Sequence, residues 1–314
     1  MKKYIAKRFL QLIPILLGIT FLSFLLTNAG ASDVISLMES NTGTVMPKEQ
    51  KERLRQEMGL DKPLVERYVI WLGGVLTGDM GESFVSKKPV FSTFLSKLPA
   101  TVCLAGTSVL LTVALSVPLG ILAAVRQNRF TDYLIRFLSF IGNSMPNFFV
   151  SLLLIYFFSL KLRLLPVMGG ASGGKTVILP TLTLALAMAS KYTRQVRAAT
   201  LEELNKDYVQ GARARGVGER RILYFSVLKS AMLTIVTLLA LSIGSLLGGT
   251  AIVESIFMWD GVGKMAVDAI AMRDYPVIQA YVIWMAAIYV CVNLATDILY
   301  RYLDPRIRLG GEGF

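Results

Sequence analysis

The chain of 314 residues is 54% hydrophobic and 17% charged, carries a net charge of +12, and contains no histidine. A soluble domain normally has about a quarter charged residues, so an ordinary soluble globule is excluded. The missing histidine also removes His-Glu-x-x-His zinc sites and every His-based catalytic pair.

In chain order, residues 9–32, 98–125, 137–160, 231–253 and 275–296 carry no charge at all. Each exceeds the roughly 18–20 apolar residues that a helix needs to span hydrocarbon. Lipid cannot satisfy backbone groups, so these stretches are predicted to be membrane helices. Residues 176–190 are shorter and contain Pro180, and taken alone they fit a span or a re-entrant segment.

Charge decides between them. Residues 191–229 hold nine Lys/Arg against four acids, and the N-terminus carries Lys2, Lys3, Lys7 and Arg8. Basic connections stay in the cytoplasm. An even number of crossings must separate the two, so residues 176–190 are predicted to span. Six crossings then place Arg301, Arg306 and Arg308 inside as well, with both termini cytoplasmic.

On this map nineteen of the 33 basic residues are cytoplasmic, while the long outside segment 29–100 balances nine bases with nine acids. The positive charge is therefore topological and faces lipid, and no nucleic-acid partner is expected. Ala29-Gly30-Ala31 resembles a signal cleavage site, but the apolar core before it exceeds the usual 7–15 residues or so. Span one is read as an uncleaved anchor. Cys103 and Cys291 lie in predicted spans and are read as packing residues.

The outside segment 29–100 has its own pattern. Lys48–Met58 reads as an amphipathic helix stopped by Gly59, and Pro63 opens another with Leu64, Tyr68, Trp71, Leu72 and Leu76 at near-helical spacing. Gly78-Asp-Met-Gly81 is a turn signal. The segment is expected to be a cap on the outer face of the bundle rather than a separate binding module.

The cytoplasmic stretch 191–230 is the most informative. Thr200-Leu-Glu-Glu-Leu caps and continues a helix, and Asp207-Tyr-Val-Gln-Gly-Ala-Arg-Ala-Arg-Gly216 follows. Gly211, Ala212 and Ala214 offer a surface that a partner can approach closely, Arg213 and Arg215 offer directed hydrogen bonds, and Gly216 reads as a helix stop. Such a loop is also accounted for as a plain topology signal.

Gln210-Gly211-Ala212 with Gly216 resembles the cytoplasmic-loop motif of ATP-binding-cassette importer permeases. It stands where the family has Glu-Ala-Ala followed by Gly, with Leu228-Lys229 in place of a later Leu-Pro. Ala212-Arg-Ala-Arg-Gly216, Arg220-Arg221 and Val227-Leu228 resemble the peptide/nickel class closely. The resemblance continues through Arg8-Phe-Leu…Ile13-Pro14, Gly59-Leu-Asp-Lys-Pro63 and Ser144-Met-Pro-Asn147. Val253-Glu-Ser-Ile-Phe257, Gly261-Val-Gly263, Arg273-Asp-Tyr-Pro276 and Leu303-Asp-Pro-Arg-Ile-Arg308 complete it. Leu98-Pro-Ala-Thr, Asn147-Phe-Phe, Leu164-Leu-Pro-Val-Met-Gly, Gly248-Gly-Thr and Tyr275-Pro-Val-Ile-Gln279 are most similar to the nickel-transport permease.

The resemblance implies an all-α, six-span permease of the type I importer fold in a cell membrane. It also implies a homologous second permease, two cytoplasmic ATPases that bind ATP and Mg, and an external solute-binding protein. Gln210, Gly211, Ala212, Arg213, Arg215 and Gly216 become the ATPase-coupling loop. No cofactor is expected in this chain and no enzymatic activity, since it lacks a Gly-x-x-x-x-Gly-Lys-Ser/Thr phosphate loop. Nickel is the expected cargo and di- or oligopeptides the alternative. Without histidine, nickel is expected to travel as a chelate, because bare Ni²⁺ favours imidazole or thiolate ligands.

An ion-coupled secondary transporter is the competitor from another class. It needs ionisable residues near mid-membrane, whereas spans two, three and five have uncharged cores and span six has only Asp297 at its edge. Candidate path or gate residues are Ser144, Met145 and Asn147, where Pro146 breaks span three, by a simple kink or at a solute contact. Ser245, within the small-residue face Gly244-x-x-x-Gly248, is read first as packing. Glu254, at the outer end of span five, is the expected gate or binding-protein contact.

Overall fold

The computed structural model describes residues 2–30, 47–57, 62–168 and 174–303. Helices dominate it: α1 (Lys2–Gly30), α2 (Lys48–Glu57), α3 (Leu64–Thr77), α4 (Val90–Val125), α5 (Phe130–Ser144) and α6 (Asn147–Leu154) come first. They are followed by α7 (Ile178–Leu204), α8 (Asp207–Ala214), α9 (Glu219–Ile222), α10 (Leu228–Ile256), α11 (Val262–Met272) and α12 (Tyr275–Leu303). Short π-helical stretches extend α6 through Ile155–Lys161 and join α9 to α10 through Leu223–Val227. A helix underlies each of the six predicted spans. Gly59, Arg306 and Arg308 lie outside the described residues, as do the side chains of Gly244, Ser245, Gly248 and Gly249.

The chain forms two compact units, Met1–Ser96 with Asp268–Val290, and Lys97–Val267 with Cys291–Phe314. In the first, α3 lies on α1 through Phe21, Phe24, Tyr68 and Trp71. The loop after α3 is pinned by Asp274, whose carboxylate accepts from the Ser83 hydroxyl and from the Phe84 N–H at 3.0 Å. Trp284 stacks on Phe94 at 5.7 Å and donates its indole N–H to Met80 Sδ.

In the second unit α7 is the centre, packed on α5, α6 and α10. Its outer half joins Leu104, Leu246, Val253 and Phe257 in one core through Leu179 and Leu184. Its inner half joins Ala231 and Ile235 in another through Val196 and Ala199.

Span three is broken at Pro146, as expected, but more sharply than a simple kink. α5 and the α6 segment meet at 103°. Met145 precedes a proline, which disfavours helical backbone there, and its ψ of 129° is extended. Pro146 then opens α6, accepting at its carbonyl from the N–H groups of Phe149 and Val150. Steric exclusion by the Pro146 ring thus sets an extended residue at the corner. α5 presents Phe130, Phe137, Leu138 and Phe140 outward, while Asp132 and Ser139 are buried. Among the described residues, two helices are long and apolar enough to cross a membrane alone, α4 and the Tyr275–Thr296 part of α12, and the bent pair makes a third if it is one span.

Asp132 anchors α5 to α7. Its fully buried carboxylate takes two hydrogen bonds from Arg197, at 2.7 and 2.8 Å, and one from the Asn128 N–H at 3.0 Å. The Arg197 hydrogen bonds hold this carboxyl below the ordinary carboxylate range, outweighing its desolvation. A depressed folded-state pKa contributes stability above the ordinary carboxylate pKa of about 4, which is lost as pH falls through the folded value. Removing one partner of such a pair costs about 3–5 kcal/mol. Asp132→Asn is therefore expected to lower the denaturant midpoint at neutral pH by far more than replacement of both Asp132 and Arg197 by leucine. Equal losses for the single and double variants would refute the ion pair as the determinant.

Candidate functional site

The loop after α7 is built around a small core of its own. Val209, Ile222 and Val227 are buried together, with Leu204, Ala212, Val217 and Leu223 packed around them. α8 ends because Gly216 adopts φ +79°, a left-handed conformation in which a side chain is strained. The Gly216 N–H donates to the Arg213 carbonyl and the Val217 N–H to the Ala212 carbonyl, at 2.9 and 3.1 Å. This is the double closure of a Schellman stop, with its apolar contact supplied by Val217 and Ala212. The predicted stop at Gly216 is the observed one.

The six coupling-loop candidates come together on α8 and its exit, but they face different ways. Gln210, Arg215 and Gly216 are exposed. A Cβ added at Gly211 would meet nothing within 4 Å, so its face is open to a partner. Ala212 turns inward to the small core. The expected docking pair Gly211–Ala212 is thus split by the helical period: one residue is available for approach and the other fixes the helix.

Arg213 is also committed internally. Its Nε and Nη2 donate to the two carboxylate oxygens of Glu219 at 2.7 and 3.2 Å. These hydrogen bonds hold the Glu219 carboxyl below its ordinary range. The pair closes the Gly216 turn from outside, and Arg215 is exposed beside it. Beneath α8 lies a groove of about 460 Å³, lined by Gln127, Arg129, Asn205, Arg213 and Arg220 among others.

The path and gate candidates do not gather into one site. Ser144 is exposed, but its hydroxyl donates to its own helix at the Phe140 carbonyl, 2.8 Å away. Met145 and Asn147 are half-buried on either side of the Pro146 corner. The side chain of Ser245 lies outside the described residues.

Glu254, expected as a gate or binding-protein contact, is fully buried. Its carboxylate accepts from the Thr101 hydroxyl at 2.8 Å and the Lys264 N–H at 2.9 Å, and also from the Gly263 N–H and the Thr250 hydroxyl. Thr101 in turn accepts from the Val262 N–H at 2.8 Å. The free N–H groups at the start of α11 are thereby satisfied by side chains from α4 and α10. A Cβ on Gly261 would lie 2.4 Å from Glu254 Oε2 and 2.5 Å from Thr101 Oγ1, which explains a glycine there. Glu254 positions the outer corner of α10 and α11.

Sequence reasoning missed Asp132, Arg197 and Asp274 as anchors. A charged residue flanking an apolar run was read as topology, and its partners lie 65 and about 190 residues away in sequence.

Residues 116–309 match the family described as binding-protein-dependent transport system inner membrane component, and residues 1–105 match the N-terminal region of such membrane components. The oligopeptide transport system permease protein AppB of Bacillus subtilis is 40% identical over 318 residues, covering 98% of this chain and 99% of that protein. The glutathione transport system permease protein GsiC of Escherichia coli is 38% identical over 308 residues, with the same coverage. Among solved structures, an inward-facing MetNI methionine ABC transporter chain superposes with a TM-score of 0.56 at 16% identity, covering 67% of this chain and 96% of that one. That likeness shows the fold alone, an all-α bundle of the same architecture.

Proposed function

Because this chain belongs to the family of binding-protein-dependent transport system inner membrane components, we propose that it is the permease subunit of an ATP-driven importer of peptides. Whole-length similarity to AppB and GsiC, proteins named for oligopeptide and glutathione transport, carries the cargo assignment. In this reading a second, homologous permease completes the path. Two ATPase subunits dock at the outward face of α8 through Gln210, Gly211 and Arg215, and an external binding protein delivers the peptide. The open space at Gly211 and the internally braced loop support docking at that face.

Nickel, the cargo first expected, is displaced to second place. The two whole-length relatives are named for oligopeptide and glutathione transport, and neither is named for nickel.

Deletion of the gene is the direct genetic test. The mutant should fail to grow when an essential amino acid is supplied only as an oligopeptide, and the intact gene should restore growth. Unchanged growth on peptides, with nickel accumulation lost instead, would reverse the cargo order.

A further inference from the structure

The outside segment contains a helix that does not behave as a water-facing cap. None of the residues of α3 is buried, and its face away from α1 is apolar. Val65, Val69, Ile70 and Leu76 are 67, 61, 56 and 80% exposed. The charges near them are confined to the start of the helix, where Lys62 pairs with Glu66 at 3.0 Å. In water such a face would be unfavourable, and a solvated outer cap gives no reason for it.

The height at which α3 crosses α1 tells what surrounds it. The Tyr68 hydroxyl meets Thr20 Oγ1 at 2.9 Å and donates to the Leu17 carbonyl at 3.3 Å. Tyr68 and Trp71 pack their rings on Phe21 and Phe24 at 5.2 and 5.3 Å. These contacts bury Thr20, Ser23 and Phe24 of α1. All lie inside the uncharged run that begins at Phe9. Twenty helical residues from Phe9 reach Asn28, and at 1.5 Å per residue Phe24 and Thr20 lie about 6 and 12 Å below the outer edge of the hydrocarbon. An amphipathic helix lying in the membrane plane sinks about 5–10 Å into that boundary.

We propose that α3 is an interfacial helix embedded in the outer leaflet, with Val65, Val69, Ile70 and Leu76 among lipid acyl chains and Tyr68 and Trp71 clasping α1. The two amphipathic rings suit the membrane–water boundary. Polar residues flank the helix, Lys62, Glu66 and Arg67 at one end and Thr77 and Asp79 at the other. This assignment uses the membrane reading of α1 and is independent of cargo.

Site-directed spin labelling tests it. In the full chain, with Cys103 and Cys291 changed to serine, single cysteines replace Val69, Ile70 or Leu76 in phosphatidylethanolamine–phosphatidylglycerol vesicles. Leu22 on α1 supplies the lipid reference, and Lys88, exposed in the outer loop, supplies the aqueous one. The expected result is collision with dissolved oxygen several-fold above collision with a water-soluble nickel chelate at all three positions, as at Leu22. Values matching Lys88 would restore the aqueous cap. Values low for both reagents, in the chain alone or co-assembled with its partner subunits, would put protein over this face. Either result overturns the proposal.

Discussion

Glu254→Leu is expected to prevent accumulation of folded permease in the membrane. Leucine fills the volume but accepts nothing, so the Thr101 and Thr250 hydroxyls and the Gly263 and Lys264 N–H groups lose their acceptor. Each buried donor left unsatisfied costs about 1–3 kcal/mol, so the summed loss rivals the roughly 5–15 kcal/mol that holds a domain together. The consequence reaches α11 directly, because its first turn is held through Thr101 and Glu254. Glu254→Gln keeps an acceptor oxygen and should recover part of the folded protein. Detergent extraction followed by size-exclusion chromatography reads both variants. A monodisperse Glu254→Leu protein at wild-type yield would show that the buried carboxylate is dispensable, and would reopen a role for Glu254 at a gate.

The second large effect is expected at Gly211. A Cβ there enters open space, so Gly211→Trp should fold, insert and accumulate normally. The indole would project from the face of α8 that carries Gln210 and Arg215, and would obstruct close approach of an ATPase subunit. Loss of co-purifying ATPase and of uptake, with unchanged permease abundance, is the expected result. Ala212→Trp supplies the contrast: Ala212 packs into the small core, so overpacking should reduce the amount of folded chain itself. Normal uptake by Gly211→Trp would remove the docking assignment from this face.

The membrane helices were legible because lipid imposes a simple requirement, long uncharged runs, and because basic residues mark the inner side. Gly216 was legible for a local reason: a glycine after a helical run is the favoured left-handed stop. The depth of the Pro146 corner was not. The pre-proline rule fixes an extended Met145, yet the 103° turn depends on how α5 and α6 each find α7.

Partnerships between distant side chains were illegible as well. Nothing local tells that Asp132 will meet Arg197, or that Glu254 will be swallowed by a corner built from Thr101 and α11. A carboxylate near a span end reads as exposed until the donors around it are known. In α8 the residue types marked one short helix with several exposed positions. Facing, however, is set by the helical period against the core of Val209, Ile222 and Val227, so Ala212 supports the loop from within, Arg213 braces it from outside through Glu219, and Gly211 and Arg215 remain outward. Cargo was read from short segments at turns and in helices, which carry family identity more than chemistry. Whole-length similarity weighs differently and favours peptides.

The most direct measurement is ATP-driven uptake by the complete transporter. The chain would be co-expressed with its partner permease, ATPases and binding protein, reconstituted into liposomes, and offered a radiolabelled oligopeptide or ⁶³Ni with and without a chelator. Peptide accumulation that requires both ATP and this chain, and that is not competed by nickel chelates, is the predicted result. Accumulation of nickel chelate with no peptide transport, or peptide uptake that persists when this chain is omitted, would contradict the account.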